Sequence, residues 1–144
     1  MNNTPTAEAR EGEVLCFHRV SYGETDCMGV LYYAEYLHIF ERARTAFTHA
    51  RGLSYKEVEA RGIYLPVREA LCRYRSPARY DDLLTAACRV DKPRRASFTF
   101  AYRILDETGT ALLAEGWTEH ACTDARGKPV AAPDWFRRAF FPPA

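Results

Sequence analysis

Val20-Ser21-Tyr22-Gly23-Glu24-Thr25-Asp26-Cys27-Met28-Gly29-Val30-Leu31-Tyr32-Tyr33-Ala34-Glu35-Tyr36-Leu37-His38-Ile39-Phe40-Glu41-Arg42-Ala43-Arg44 passes from a strand, through a turn, into the longest helical pattern of the chain. Between Gly23 and Gly29 the turn holds two carboxylates, Glu24 and Asp26. A carboxylate just before a helix lies beside backbone N–H groups that have no partner inside the helix. Such groups stabilise an anion or a developing oxyanion, while the carboxylate supplies a base or a nucleophile. The same residues suit a plainer role. Aspartate in a turn often accepts backbone N–H bonds or caps the helix that follows.

Downstream, apolar residues at Tyr33, Tyr36, Leu37, Phe40, Ala43, Phe47 and Ala50 follow the spacing of a helix buried along one face. Glu35, His38, Glu41, Arg42, Thr45 and His49 fall on the opposite face, and Gly52 supplies a stop. The pattern predicts a helix of about 18 residues, roughly 27 Å long, enough to cover a small sheet. Upstream, Glu13 to Tyr22 alternates as a strand, with Val14, Cys16, His18 and Val20 on one side. His18 there reads as a packed or partly exposed histidine. Residues 1–12 carry no apolar period and read as a flexible tail before a single domain over 13–144.

Ser54-Tyr55-Lys56-Glu57 has the form of a capping box and predicts a short helix to Arg61. The period then becomes two. Strands are expected over Ile63 to Arg73 (Leu65, Val67 and Leu71 sharing a side), Leu84 to Val90, Ala96 to Leu105 and Ala111 to Thr123. Pro133 to Phe141 reads as a terminal helix anchored by Trp135, Phe136, Phe140 and Phe141. A run of strands joined by short turns after one long helix argues for an α+β fold with an antiparallel sheet.

A chain of 144 residues is one ordinary domain, and its net charge of +1 gives no reason to expect nucleic acid as partner. No run of twenty apolar residues suggests a membrane span, and residues 1–13 lack the apolar core of a signal peptide, so a cytoplasmic protein is expected. The five cysteines are odd in number, widely spaced and without a Cys-x-x-Cys pair, which argues against a disulfide framework and a zinc site. Cys27, next to Asp26, is the cysteine outside the apolar strand patterns; as a nucleophile it would need a nearby base, with His18 the nearest histidine.

The pattern Tyr22-x-x-Thr25-Asp26-x-x-Gly29-Val30-x-Tyr32 followed by Tyr36-Leu37-x-x-x-Glu41-x-Ala43-Arg44 resembles hotdog-fold acyl-CoA thioesterases of the 4-hydroxybenzoyl-CoA thioesterase group. The nearest likeness is to the Tol-Pal-associated branch. Tyr74-x-x-Pro77-Ala78-Arg79-x-Asp81 is a second match, and Arg94-Arg95-x-Ser97-Phe98 a third, shorter one. The resemblance implies a five-stranded antiparallel sheet wrapped around one long helix, with active sites at the seam of a homodimer or homotetramer. It implies an acyl-CoA substrate and no metal or bound cofactor. Asp26 matches the family's catalytic carboxylate, Tyr33 the position whose backbone N–H polarises the thioester carbonyl, and Tyr22 a tyrosine that assists. Arg94, Arg95 and Ser97 match the strand start that meets the nucleotide end of coenzyme A. Many members carry histidine where this chain has Tyr33.

Read from the residues alone, several of these positions keep a second meaning. Glu24 reads as solvated or paired with an arginine. Tyr22, Tyr32, Tyr33 and Tyr36 suit either an aromatic lining or the core. Lys92, Arg94 and Arg95 suit phosphates or an exposed turn, and Arg79 suits a pair with Asp81 or Asp82. An acyl group carried on acyl carrier protein, or a non-catalytic acyl-binding module, are the rival functions. A dehydratase is disfavoured because no histidine lies in the Asp26 turn.

Overall fold

Five antiparallel strands form one sheet in the order β1-β3-β4-β5-β2, in a computed structural model that describes residues 7–143. The strands are β1 (Val14–Arg19), β2 (Val67–Tyr74), β3 (Leu83–Asp91), β4 (Ser97–Leu105) and β5 (Leu112–Ala121). Three helices accompany them: α1 (Glu35–Ala50), α2 (Tyr55–Ala60) and α3 (Asp134–Phe140). This is the α+β hotdog architecture, a sheet curved around one long helix. Among the described residues no helix is long and apolar enough to cross a membrane. The N-terminal segment expected to be flexible falls partly outside the described residues, at positions 1–6.

Strand β4 alternates along most of its length because one of its faces meets α1, whereas β3 is buried on both faces over Leu84 to Cys88. In β4, Phe98, Phe100, Tyr102 and Ile104 are buried, and from α1 Phe40 stacks on Tyr102 at 4.2 Å while Phe47 meets Phe100 edge-on at 5.6 Å. Gly116 of β5 makes the first contact possible. A Cβ there would lie 2.9 Å from the Phe40 ring and would collide with the Leu71 carbonyl, so the helix reaches the sheet only over a residue with no side chain. Phe136 and Phe140 of α3 close one end of the core, Phe136 packing 5.7 Å from Phe98.

Two details differ from the sequence pattern. Helix α1 has 16 residues and begins at Glu35, so Tyr33 precedes it, and its buried stripe is Tyr36, Ile39, Phe40, Ala43, Phe47 and Thr48. Leu37 lies 41% exposed on the flank, and Ala50 is also exposed. Strand β2 begins at Val67, after a segment in which Tyr64 forms an isolated bridge with Thr123. The irregularity between Val67 and Glu69 places Val67 opposite His120, whereas Leu71 lies opposite Trp117. A single extra residue changes which face each side chain takes, so Val67 and Leu71 do not share a side.

The sheet face turned away from α1 is charged. Glu69, Arg73, Arg89, Arg103, Glu115 and Glu119 surround Trp117 in a groove of about 520 Å³. Arg75 pairs with Glu115 at 2.6 Å and Arg68 with Glu119. Arg103 holds the almost fully buried carboxylate of Glu13 through two hydrogen bonds, at 2.8 and 2.6 Å.

Candidate active site

Val20, at the end of β1, is tied to a second loop. Its N–H donates to the Asp82 carbonyl at 2.9 Å and its carbonyl accepts from Asp81 N–H at 3.0 Å. Eleven residues on, Leu31 N–H donates to the Ala78 carbonyl at 2.8 Å. The turn that bears Asp26 is thereby stitched at both ends to the Pro77-Ala78-Arg79 loop. Asp82 accepts the backbone N–H of Arg79 at 2.8 Å, and Asp81 faces Arg19 at 3.7 Å. The expected side-chain pair of Arg79 is therefore replaced by these two contacts.

Tyr22 to Glu24 form a 3-10 turn. The Glu24 carboxylate accepts from Ser21 N–H at 2.7 Å, from the Ser21 hydroxyl at 2.9 Å and from His18 Nε2 at 3.0 Å. Burial alone would raise the Glu24 pKa, but the Ser21 N–H and hydroxyl and His18 together hold it below the usual carboxylate range. Its partner is thus a buried histidine and not an arginine. His18 is committed to Glu24 and so does not serve Cys27, whose thiol is exposed.

Asp26 begins a tight turn, in which Gly29 N–H donates to the Asp26 carbonyl at 2.9 Å and Gly29 takes a φ of +78°. One carboxylate oxygen, Oδ1, accepts from Met28 N–H at 2.9 Å and, weakly, from Val30 N–H at 3.5 Å. The other, Oδ2, has no hydrogen-bond partner among the described residues. One oxygen of the side chain thus serves the turn, while the other is left without a partner among the described residues.

On the far side of the turn, Tyr32 N–H donates to the Glu24 carbonyl at 2.9 Å, and Glu35 N–H donates back to the Tyr32 carbonyl at 2.9 Å. The N–H groups of Tyr33 and Ala34 have no acceptor among the described residues, as the opening of a helix requires. Asp26 and Tyr33 line one cavity of about 400 Å³, with Met28, Tyr36, Tyr74 and Arg75 on its walls. Tyr74 is anchored by a bond from its hydroxyl to the Tyr33 carbonyl at 2.8 Å, and its ring meets Tyr36 edge-on at 4.9 Å. Burial, with neighbouring Cys72 and tyrosines, pushes the Tyr74 hydroxyl up to about 12, so it stays a proton donor.

Other candidates lie elsewhere. Tyr22 is 78% exposed and packs edge-on against Tyr80 at 5.6 Å; it does not line the cavity. Arg94 N–H donates to the Ser97 carbonyl at 2.8 Å, closing the turn before β4, and the Arg94 and Arg95 carbonyls receive bonds from Arg137 and Ala132 of the C-terminal segment. The Arg94 and Arg95 side chains are exposed, and Arg94 lines the charged outer groove, not the cavity of Asp26. Among the described residues no three His, Cys, Asp or Glu gather as a metal site would require. Tyr74 and Arg75 are among the cavity-lining residues that the sequence did not assign to the site. Tyr74 stands in the Tyr74-x-x-Pro77-Ala78-Arg79 motif, and that motif was the available signal.

Residues 20–140 match the family model described as thioesterase-like superfamily. The chain is 34% identical over 124 residues to an acyl-CoA thioesterase, YbgC, of Haemophilus influenzae, covering 85% of this chain and 90% of that one. It is 35% identical over 116 residues to the acyl-CoA thioester hydrolase YbgC of Escherichia coli O6:H1, covering 80% and 86%. The solved structure of a DHNA-CoA thioesterase from Staphylococcus aureus superposes with a TM-score of 0.79 at 31% identity, covering 85% of each chain.

Proposed function

The chain belongs to the thioesterase-like superfamily, and from that premise we propose that it hydrolyses an acyl- or aroyl-CoA thioester to the free acid and coenzyme A. Relatives at 34% and 35% identity carry the names of acyl-CoA hydrolases, which supports the class of reaction. The observation that carries the mechanism is the shared cavity. Asp26, whose Oδ2 has no partner, and Tyr33, whose N–H has no acceptor among the described residues, both line that cavity.

In this reading the thioester carbonyl accepts from Tyr33 N–H, which gains strength as negative charge builds on that oxygen. Asp26 either attacks the carbonyl carbon or takes a proton from an attacking water. By the first route the coenzyme A thiolate leaves, and water then splits the mixed anhydride to return Asp26 as a carboxylate. By the second, one water adds directly and the tetrahedral adduct expels the thiolate. Oδ1, held by Met28 N–H, fixes the side chain in either case.

Tyr22 would assist although it does not line the cavity of its own chain, and Arg94, Arg95 and Ser97 would meet the nucleotide of coenzyme A. Because Arg94 lies away from the Asp26 cavity in one chain, we assign its contact to the cavity of a second protomer, in a homodimer or homotetramer. We read the protein as cytoplasmic and place it near the Tol-Pal-associated branch, on the Tyr22 to Tyr32 motif.

The test is thiol release from an acyl-CoA panel by wild type and Asp26→Asn. Turnover should fall on the order of a thousandfold, about 4 kcal/mol of barrier, with the fold retained. Activity surviving in Asp26→Asn would remove the carboxylate from the mechanism. Wild type that binds acyl-CoA without releasing thiol would make the chain a binding module.

A further inference from the structure

The first turn before α1 leaves an unusual carbonyl. In a regular helix the Tyr33 carbonyl would accept from Leu37 N–H four residues on. Here Leu37 N–H donates to the Ala34 carbonyl at 3.3 Å. The Tyr33 carbonyl takes its hydrogen bond from outside the helix, from the Tyr74 hydroxyl on the edge strand β2, at 2.8 Å. A peptide unit is planar, and its C=O and N–H point in opposite directions. Fixing a carbonyl therefore aims the N–H of the next residue.

Two consecutive peptide units are held in this way. Glu35 N–H, at 2.9 Å, fixes the Tyr32 carbonyl and so aims Tyr33 N–H. Tyr74 fixes the Tyr33 carbonyl and so aims Ala34 N–H. Both N–H groups lack an acceptor among the described residues. Tyr74 is itself well placed to act as a clamp. It shares the cavity wall with Asp26 and Tyr33, its ring is braced edge-on by Tyr36 at 4.9 Å, and it lies 41 residues from the carbonyl it binds. The contact spans two elements that approach only through the fold.

We infer that the oxyanion site has two donors, the N–H groups of Tyr33 and Ala34, and that Tyr74 is the positioning residue that sets the second through the Tyr33 carbonyl. This rests on the thioesterase reading given above. Oxyanion stabilisation depends on donors aligned before the charge appears, since realignment during the reaction costs barrier height. The clamp therefore acts on the transition state more than on bound substrate.

The experiment compares wild type, Tyr74→Phe and Asp26→Asn on acetyl-, hexanoyl-, palmitoyl- and benzoyl-CoA, following thiol release. Tyr74→Phe keeps the ring and removes only the hydroxyl. Its kcat should fall about tenfold with KM within about twofold and the thermal midpoint unchanged. A second measurement uses the carbonyl-13C form of the best substrate bound to Asp26→Asn. Its C=O stretch should lie below the solution value, and should move back toward it when Tyr74→Phe is added. A kcat unchanged in Tyr74→Phe, or a rise in KM alone, overturns the positioning role while leaving Asp26 in place. A stretch equally lowered with and without Tyr74 does the same. Wild type inactive on the whole panel overturns the thioesterase reading and this inference with it.

Discussion

His18 Nε2 lies 3.0 Å from each carboxylate oxygen of Glu24, joining the end of β1 to the segment that carries Asp26. The histidine is buried and the carboxylate is also held by Ser21. Glu24 further anchors the far side of the loop, because its backbone carbonyl accepts Tyr32 N–H. One residue thus sets both the approach to Asp26 and the departure toward Tyr33.

Removing the imidazole leaves part of the Glu24 carboxylate unpaired in a half-buried place. His18→Ala should lose about 1–3 kcal/mol of stability, read as a shift in the urea midpoint at pH 7. The Glu24 pKa is depressed on folding, so its contribution is present above the unfolded value of 4.5 and fades as pH falls through the lower folded value. Glu24→Gln should therefore flatten the acid limb of the stability curve below about pH 4.5. An acid limb unchanged in Glu24→Gln would show that other carboxylates govern it.

His120 lies in the core, its Nε2 2.7 Å from Thr118 Oγ1 and its Nδ1 3.0 Å from the Leu65 carbonyl. Burial is the main reason its pKa drops from 6.5 to about 4. The unfolded chain then binds the proton more readily, so stability is full above pH 6.5 and declines as pH falls toward 4. The decline should approach about 3 kcal/mol. Unfolding curves at pH 7, 6 and 5 would measure it, and His120→Gln should remove most of the slope. Parallel slopes in the two proteins would refute the assignment.

Gly116→Ala places a methyl group against the Phe40 ring and the Leu71 carbonyl. Two strands and the helix would have to separate, at a cost of about 3 kcal/mol. Equilibrium unfolding should show it. A variant as stable as wild type would mean that the helix can shift along the sheet without penalty.

Cys27→Ser should keep kcat within about twofold of wild type, since the thiol is exposed and the nearest histidine is engaged by Glu24. Loss of thiol release in this variant, with Asp26→Asn still active, would move the nucleophile to Cys27.

Local pattern alone determined the α+β class, the five strands and the three helices, because the periods of two and 3.6 reflect which face of each element is buried. It also singled out Asp26, a carboxylate in the turn before a helix start, whereas Tyr33 was named only through the family resemblance. It could not set the phase of α1, where Ile39 and Thr48 turned inward and Leu37 outward, since that rotation follows from where the helix meets Phe100, Tyr102 and Gly116. Nor could it find the bulge that separates Val67 from Leu71, the His18 partner of Glu24, or the fact that one oxygen of Asp26 is held by the turn while the other is left unpartnered. Only tertiary structure brought Tyr74 to the Tyr33 carbonyl and sent Arg94 to the opposite face of the sheet. Each of those depends on contacts between residues far apart in the chain, and strand order and register, not local propensity, decide which of them meet.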